Sequence, residues 1–328
     1  MTRSGERLVS RRWISVLAGA ALIAVSCSGG ADDLVSGSFG RDGGVASDAP
    51  FTAIIANSPP GVGPNRLAIA LSDGGALLSD ATVDARLYWL GDQSDSEASP
   101  ELRGEMPLIP RTLVSSTDHK HDDGALHGHL AALATVYVAH VEFDAVGWWG
   151  VALDVEREGE RYEELQARFW VSEDSNEPGI GDAVPRSEQR TLRDVDDISQ
   201  IDSSSPPNPA LHALTVAEAL ETGKPVVVAF VTPAFCQTRF CGPVLENVVT
   251  PAWEAYGERV EFLHIEPFDL AEARTGTLRP VPAVVEWGLI SEPFVFVLNP
   301  DGTVAAKFEG VMETEEITTT LDAILEGS

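Results

Sequence analysis

Two cysteines five positions apart, Cys236 and Cys241, concentrate the most chemistry in the fewest residues of this chain. They sit in Thr232-Pro233-Ala234-Phe235-Cys236-Gln237-Thr238-Arg239-Phe240-Cys241-Gly242-Pro243. A thiolate is a nucleophile, a partner for a disulfide and a metal ligand. The residues before them, 226–231, are β-branched, small or aromatic and read as a buried strand. The residues after them, 244–249, take up helical spacing. Both sulfurs therefore stand where a strand hands over to a helix N-terminus, whose unpaired N–H groups and dipole favour a thiolate. Arg239, between them, offers a positive charge to the same end.

Spacing limits what the pair can do. Two residues five apart in a regular α-helix have Cα atoms about 8.6 Å apart. A disulfide needs about 4.4–6.8 Å. Cys236 must therefore lie in the loop before the helix if the sulfurs are to meet, and Pro233 keeps that stretch non-helical. Three uses stay open: a redox pair, a disulfide that pins the helix start, and a copper-handling dithiol.

A second constellation is His119, His121, His127 and His129, four of the seven histidines within 11 residues. In an extended segment positions i and i+2 face the same way, so each His-x-His pair can close on one ion. The turn Asp122-Asp123-Gly124 would fold one pair over the other. Imidazole suits copper, zinc or nickel. The alternative is a solvated polar loop. His140 reads as a structural strand residue, and His212 and His264, each alone, read as packing or surface residues.

The elements that must position these groups span about two domains' worth of the 328 residues, with 44% hydrophobic content. Residues 1–26 hold four Arg and one Glu, leaving a net charge of −32 on the rest. That balance argues against nucleic acid and against an anionic membrane surface as partners. Residues 14–25 are apolar and only 12 long, too short to span a bilayer and suited to a signal peptide. Ala24-Val25-Ser26-Cys27 resembles a bacterial lipobox, and the resemblance implies lipid attachment at Cys27. Ser10-Arg11-Arg12-Trp13-Ile14 is weakly similar to a twin-arginine export motif. The expected location is the extracytoplasmic face of the cell membrane, with the lipid as the only membrane contact. Residues 28–50, rich in Gly, Ser and Asp, read as a flexible tether. Strand-sized segments separated by Gly, Asp and Pro turns over 51–173 suggest an immunoglobulin-like β-sandwich. Residues 174–208 read as a linker, of which 180–185 is expected to lie against the second domain.

Residues 209–328 resemble the thioredoxin superfamily. The likeness is carried by the strand and cysteine turn, by Gly288-Leu289-Ile290-Ser291-Glu292-Pro293-Phe294-Val295-Phe296-Val297-Leu298, by the turn Asn299-Pro300-Asp301-Gly302 with its return strand 304–310, and by a closing helix over 314–325. The fold class expected is multidomain: an N-terminal all-β immunoglobulin-like sandwich and a C-terminal α/β thioredoxin-like fold. The resemblance implies that Cys236 attacks, that Cys241 resolves, and that Pro293, after a cis bond, faces them. The competing alignment matches Phe240-Cys241-Gly242-Pro243 to the family's Trp-Cys-Gly-Pro and puts Val244 at its second cysteine; the first places the strand end better. The family's buried carboxylate is replaced by Ala229, and its spacing of two residues by four. The function implied is thiol–disulfide exchange with thiols or disulfides of exported proteins. The alternatives are a copper- or zinc-handling module, similar to Sco-type copper assembly proteins, and a redox-inert binding module with a structural disulfide.

Overall fold

The computed structural model describes residues 48–92, 100–120 and 126–327, and for 116–120 and 126–129 the backbone alone. All of them belong to one compact unit. The signal segment, Cys27 and most of the tether lie outside the described residues.

Eight strands build the first half: β1 (Thr52–Ile55), β2 (Gly63–Asp73), β3 (Ala76–Leu77), β4 (Thr82–Trp89), β5 (Glu101–Lys120), β6 (Leu126–Phe143), β7 (Gly147–Arg157) and β8 (Glu160–Val171). They form one antiparallel sheet in the order β1-β2-β6-β5-β4-β7-β8, with β3 paired to β2. The two ends approach each other. Val62 N–H donates to Ser172 O at 3.0 Å and Ser172 N–H to Pro60 O at 3.0 Å, so the sheet curls into a nearly closed barrel.

This corrects the expected sandwich, because there are not two stacked sheets. The reason is β5, which the turn signals do not mark. Residues 101–108 of β5 pair with β4, and its remainder pairs with β6. One 20-residue strand thus carries the sheet round a corner where a sandwich would break it. Register shifts at Leu87/Tyr88, Leu113/Val114 and Leu153/Val155 supply the extra bend and twist. The interior is filled by Phe51, Ile69, Leu71, Tyr137, Phe143, Trp149 and Leu153 among others. Phe143 meets Trp149 and Phe169 edge-on at 5.0 and 5.6 Å.

The second half holds the strands β9 (Val226–Phe230), β10 (Glu261–Ile265), β11 (Phe294–Leu298) and β12 (Val304–Glu309), in the order β10-β9-β11-β12. The pair β9/β10 is parallel and the other two pairs are antiparallel. Its helices are α1 (Val216–Ala219), α2 (Cys241–Val244), α3 (Thr250–Tyr256), α4 (Leu270–Ala273), α5 (Pro282–Glu286) and α6 (Thr314–Glu326). A π-helical turn, Leu245–Val249, joins α2 to α3.

This half too departs from the expected fold class. Strand outweighs helix along the described chain, at 40% against 20%, and no clear α/β thioredoxin-like fold emerges. Nor does the sheet have a core of its own on both faces. Val226, Val228, Phe230, Phe294 and Phe296 pack with Trp287 on one face. Val227, Ala229, Val231, Val295 and Val297 face the other way, into a core shared with Ala68, Ala70, Leu113, Val136 and Val138 of the barrel wall. In β2 the period of two is used twice: Leu67, Ile69 and Leu71 fill the barrel, while Ala68 and Ala70 point out of it. A wall buried on both faces is what makes eight successive β2 residues inaccessible.

The segment 174–208 is packed rather than free. Gly181 N–H donates to Val304 O at 2.8 Å and Val304 N–H to Asp182 O at 2.9 Å. Lys307 pairs with buried Glu177 at 2.6 Å. Gly288 adopts φ +64°, and a Cβ there would fall 2.1 Å from Asn176 O. Gly288→Ala is therefore expected to cost about 1–3 kcal/mol, read as a fall in the urea midpoint at unchanged m-value.

Candidate active site and metal-binding groups

Strand β9 ends at Phe230, and residues 231–240 form the loop that carries Cys236; Cys241 opens α2. Arg239, at φ +68°, reverses the chain so that Phe240 and Cys241 start the helix. Cys236 is half-buried and Cys241 fully buried, both as free thiols. Cys241 N–H donates to Cys236 Sγ at 3.2 Å, and the Thr238 hydroxyl lies 3.3 Å from the same sulfur. The Cys241 thiol and these two groups outweigh burial and lower the Cys236 pKa to about 5. The proton that Cys241 shares with the Cys236 sulfur, and burial, push the Cys241 thiol up. Exposed Arg239 is not among the leading contributors to either shift.

Pro293 is buried at the start of β11 and follows a cis bond from Glu292, as expected. Glu292 is a residue that no sequence signal singles out. Its Oε1 accepts from Gln237 N–H at 3.1 Å, and its carbonyl accepts from the Thr238 hydroxyl at 3.4 Å. Those contacts hold β11 against the cysteine loop. A carboxylate oxygen of Glu292 and both sulfurs lie within 4.8 Å of one another. Burial, and then the charge on Cys236, raise the Glu292 pKa. The sheet has no acid at Ala229, but an acid reaches the sulfurs from the bend that precedes the neighbouring strand β11.

Directly behind the loop lies a second polar group that was missed. His212 and His264, 52 positions apart and read singly as packing residues, come together with ring centroids 4.9 Å apart. Both face Asp202: His212 Nε2 is 3.0 Å and His264 Nδ1 3.7 Å from Asp202 Oδ2. These three buried residues can hold a metal ion, since one ligand atom from each lies within 4.8 Å of the others. His264 Nε2 is 3.0 Å from Val231 O, at the base of the cysteine loop. Burial lowers the His212 pKa despite Asp202. Burial works the same way on His264, but Asp202 and Glu266 outweigh it and raise the pKa. Burial also raises that of Glu266. No short sequence pattern could have found this cluster, because its members come from an irregular segment, a 3₁₀ turn and β10.

Of the four-histidine cluster, His121 lies outside the described residues. His119 is in β5, opposite His127 in β6, and His129 is opposite Thr117; only their backbone is described. His140 stands in β6 and its side chain is exposed. Among the described residues no helix is long and apolar enough to cross a membrane. No family model matches the chain, and no curated protein matches it.

Proposed function

We propose that this chain is a membrane-anchored extracytoplasmic protein that exchanges disulfides with the thiols of exported proteins through Cys236 and Cys241. The observation that carries the proposal is the Cys236 sulfur, half-exposed and stabilised as thiolate by Cys241 and Thr238, with a buried thiol behind it. Kinship with the thioredoxin superfamily is part of the proposal. It rests on the cysteine turn and the proline-led strand β11, not on the fold class.

The lowered pKa of Cys236 favours the reduced protein, so the disulfide form accepts electrons. A partner thiolate attacks Cys236 Sγ of the Cys236–Cys241 disulfide, a mixed disulfide forms, and Cys241 leaves. Glu292, whose carboxyl lies within 4.8 Å of both sulfurs and whose pKa is raised by burial and by the charge on Cys236, gives Cys241 the proton and regains one from solvent. A second partner thiolate attacks the partner sulfur, and Cys236 leaves as the stabilised thiolate. The partner has lost two electrons and the protein has gained them.

The test is equilibration of the couple with glutathione and trapping of partners by Cys241→Ser. A potential above about −200 mV is expected, together with a captured mixed disulfide. A potential near that of structural disulfides, below about −300 mV, and no captured partner would reject the proposal. Glu292→Gln is expected to slow turnover by about 10²-fold near neutral pH. It should remove the fall in rate on the alkaline side of the Glu292 pKa while leaving Cys236 alkylation intact. A purely structural role would change neither profile in that pattern.

A second reading is favoured by one observation: Cys236, Cys241 and Glu292 also form a group able to hold an ion. Two thiolates suit Cu(I) or Zn(II), so the reduced protein should be titrated with both. Lipid attachment at Cys27 is tested by the mass of the mature N-terminus and its loss in Cys27→Ser.

A further inference from the structure

We propose that Asp202, His212 and His264 form a binding site for a divalent transition-metal ion, Zn(II) by donor class, seated behind the cysteine loop. The inference stands independently of the exchange reaction.

The first argument is a mismatch that hydrogen bonding leaves unresolved. His264 Nε2 faces the Val231 carbonyl at 3.0 Å, which only an N–H can satisfy. Nδ1 is buried with no hydrogen-bond partner, and it offers a lone pair once its proton is released. It faces the Asp202 carboxylate at 3.7 Å, beyond hydrogen-bond length. A dry site of this kind needs a positive charge between nitrogen and carboxylate: a proton on Nδ1 in the metal-free protein, exchanged for a metal ion on binding.

The second argument is the spacing. A Zn(II) ion with bonds of about 2.0–2.1 Å sets its tetrahedral ligand atoms about 3.3 Å apart. The two edges at Asp202 Oδ2 are 3.0 and 3.7 Å, and all three ligand atoms fall within 4.8 Å of one another. Small side-chain adjustments suffice to close the set on an ion.

The third argument is the outer support that metal ligands need. His264 is oriented by the Val231 carbonyl. Asp202 Oδ1 accepts from Ser204 N–H at 2.8 Å and from its hydroxyl at 2.6 Å, and Oδ2 accepts from Asn208 N–H at 3.3 Å. Two imidazoles and one carboxylate make a nitrogen–oxygen set, which favours Zn(II) over thiolate-seeking Cu(I). A cavity of about 290 Å³, lined in part by His212, His264 and Glu266, borders the two imidazoles and leaves room for a fourth ligand on their side.

The experiment uses the full chain with Cys27, Cys236 and Cys241 changed to Ser and His119, His121, His127 and His129 changed to Ala. This removes the other candidate ligands and leaves three histidines, of which His140 is the internal control. One equivalent of Zn(II) should bind, and Co(II) should give the visible absorption of a four-coordinate nitrogen–oxygen site. Two imidazole resonances should shift with the metal while His140 stays fixed. Asp202→Asn and His212→Gln should each weaken binding at least about 100-fold, since loss of outer-shell partners alone costs 10–100-fold. Absence of stoichiometric binding, shifts confined to His140, or unchanged affinity in a folded Asp202→Asn protein would each overturn the assignment. If the variants fail to fold, the imidazole shifts in the parent decide it.

Discussion

Alkylation of Cys236 is expected to run at a nearly constant rate from pH 8 down to about pH 6, and to fall tenfold per unit only below about pH 5. The basis is the pKa of about 5 that Cys241 and Thr238 impose. An ordinary thiol with a pKa of about 8.5 loses roughly 75-fold in thiolate over pH 8 to 6. The profile is the diagnostic, and the rate at neutral pH is not. A thiolate of lower pKa is also less nucleophilic, with a Brønsted slope of about 0.4–0.5. Over a shift of some three to four units that penalty roughly cancels the gain in thiolate fraction at pH 7. Cys241→Ser keeps a donor beside the sulfur and should preserve the flat profile; Cys241→Ala removes the largest contributor and should move the midpoint upward. Cys236→Ser should abolish exchange. The same shift has a sign for stability. Cys236 is depressed in the fold, so its contribution to the reduced protein is full above about pH 8.5 and vanishes as pH falls through about 5. Reduced wild type should thus gain on Cys236→Ser as pH rises across that window. A midpoint near 8.5 in the alkylation profile would remove the chemical basis of the exchange reaction.

What could be read from the chain was local. Strand 226–231, the turn at Asn299 to Gly302 and the closing helix appear within a residue or two of expectation, while the helix read over 244–249 starts at Cys241, takes a π-helical turn over 245–249 and runs on to Tyr256. Each depends on spacing within a dozen residues, which periodicity and turn chemistry report directly. The architecture was not readable in that way. Residues 101–120 contain Pro107 and Pro110 and several charges, so β5 carries no strand signal, and without β5 the barrel reads as separate short strands. Barrel closure and the shared core are long-range packing, with Ala68 and Ala70 too small to announce an interface. The site divides similarly. The cysteines declare themselves by type. Glu292, Asp202, His212 and His264 become functional candidates only through sheet pairing and buried contacts.

Arg66→Ala is expected to destabilise the whole molecule by about 3–5 kcal/mol. Arg66 projects from the outer side of the barrel wall, from the same strand face as Ala68. Its Nε and Nη2 meet the Glu316 carboxylate at 2.8 and 3.1 Å, and Nη2 also donates to Val311 O at 3.0 Å. Both side chains are nearly inaccessible, at 3% and 4%. The guanidinium stands 5.7 Å from the Phe308 ring centre, and Glu316 Oε2 accepts from Glu313 N–H at the start of α6. Removing Arg66 leaves the buried Glu316 carboxylate with only the Glu313 N–H and, at 3.9 Å, Arg111 Nε to face it, and that poorly compensated charge, rather than the lost attraction, makes the cost large. Replacing both partners, with Arg66→Met and Glu316→Leu, should therefore cost far less than either Arg66→Ala or Glu316→Ala. Trp149 and Trp170 report the barrel, and Trp253 and Trp287 the second half. With a shared core, urea should unfold both in one transition, and Arg66→Ala should move that transition as a unit. Two transitions, or a change below about 1 kcal/mol, would mean that this buried pair does not couple the barrel to the sheet that carries the cysteines.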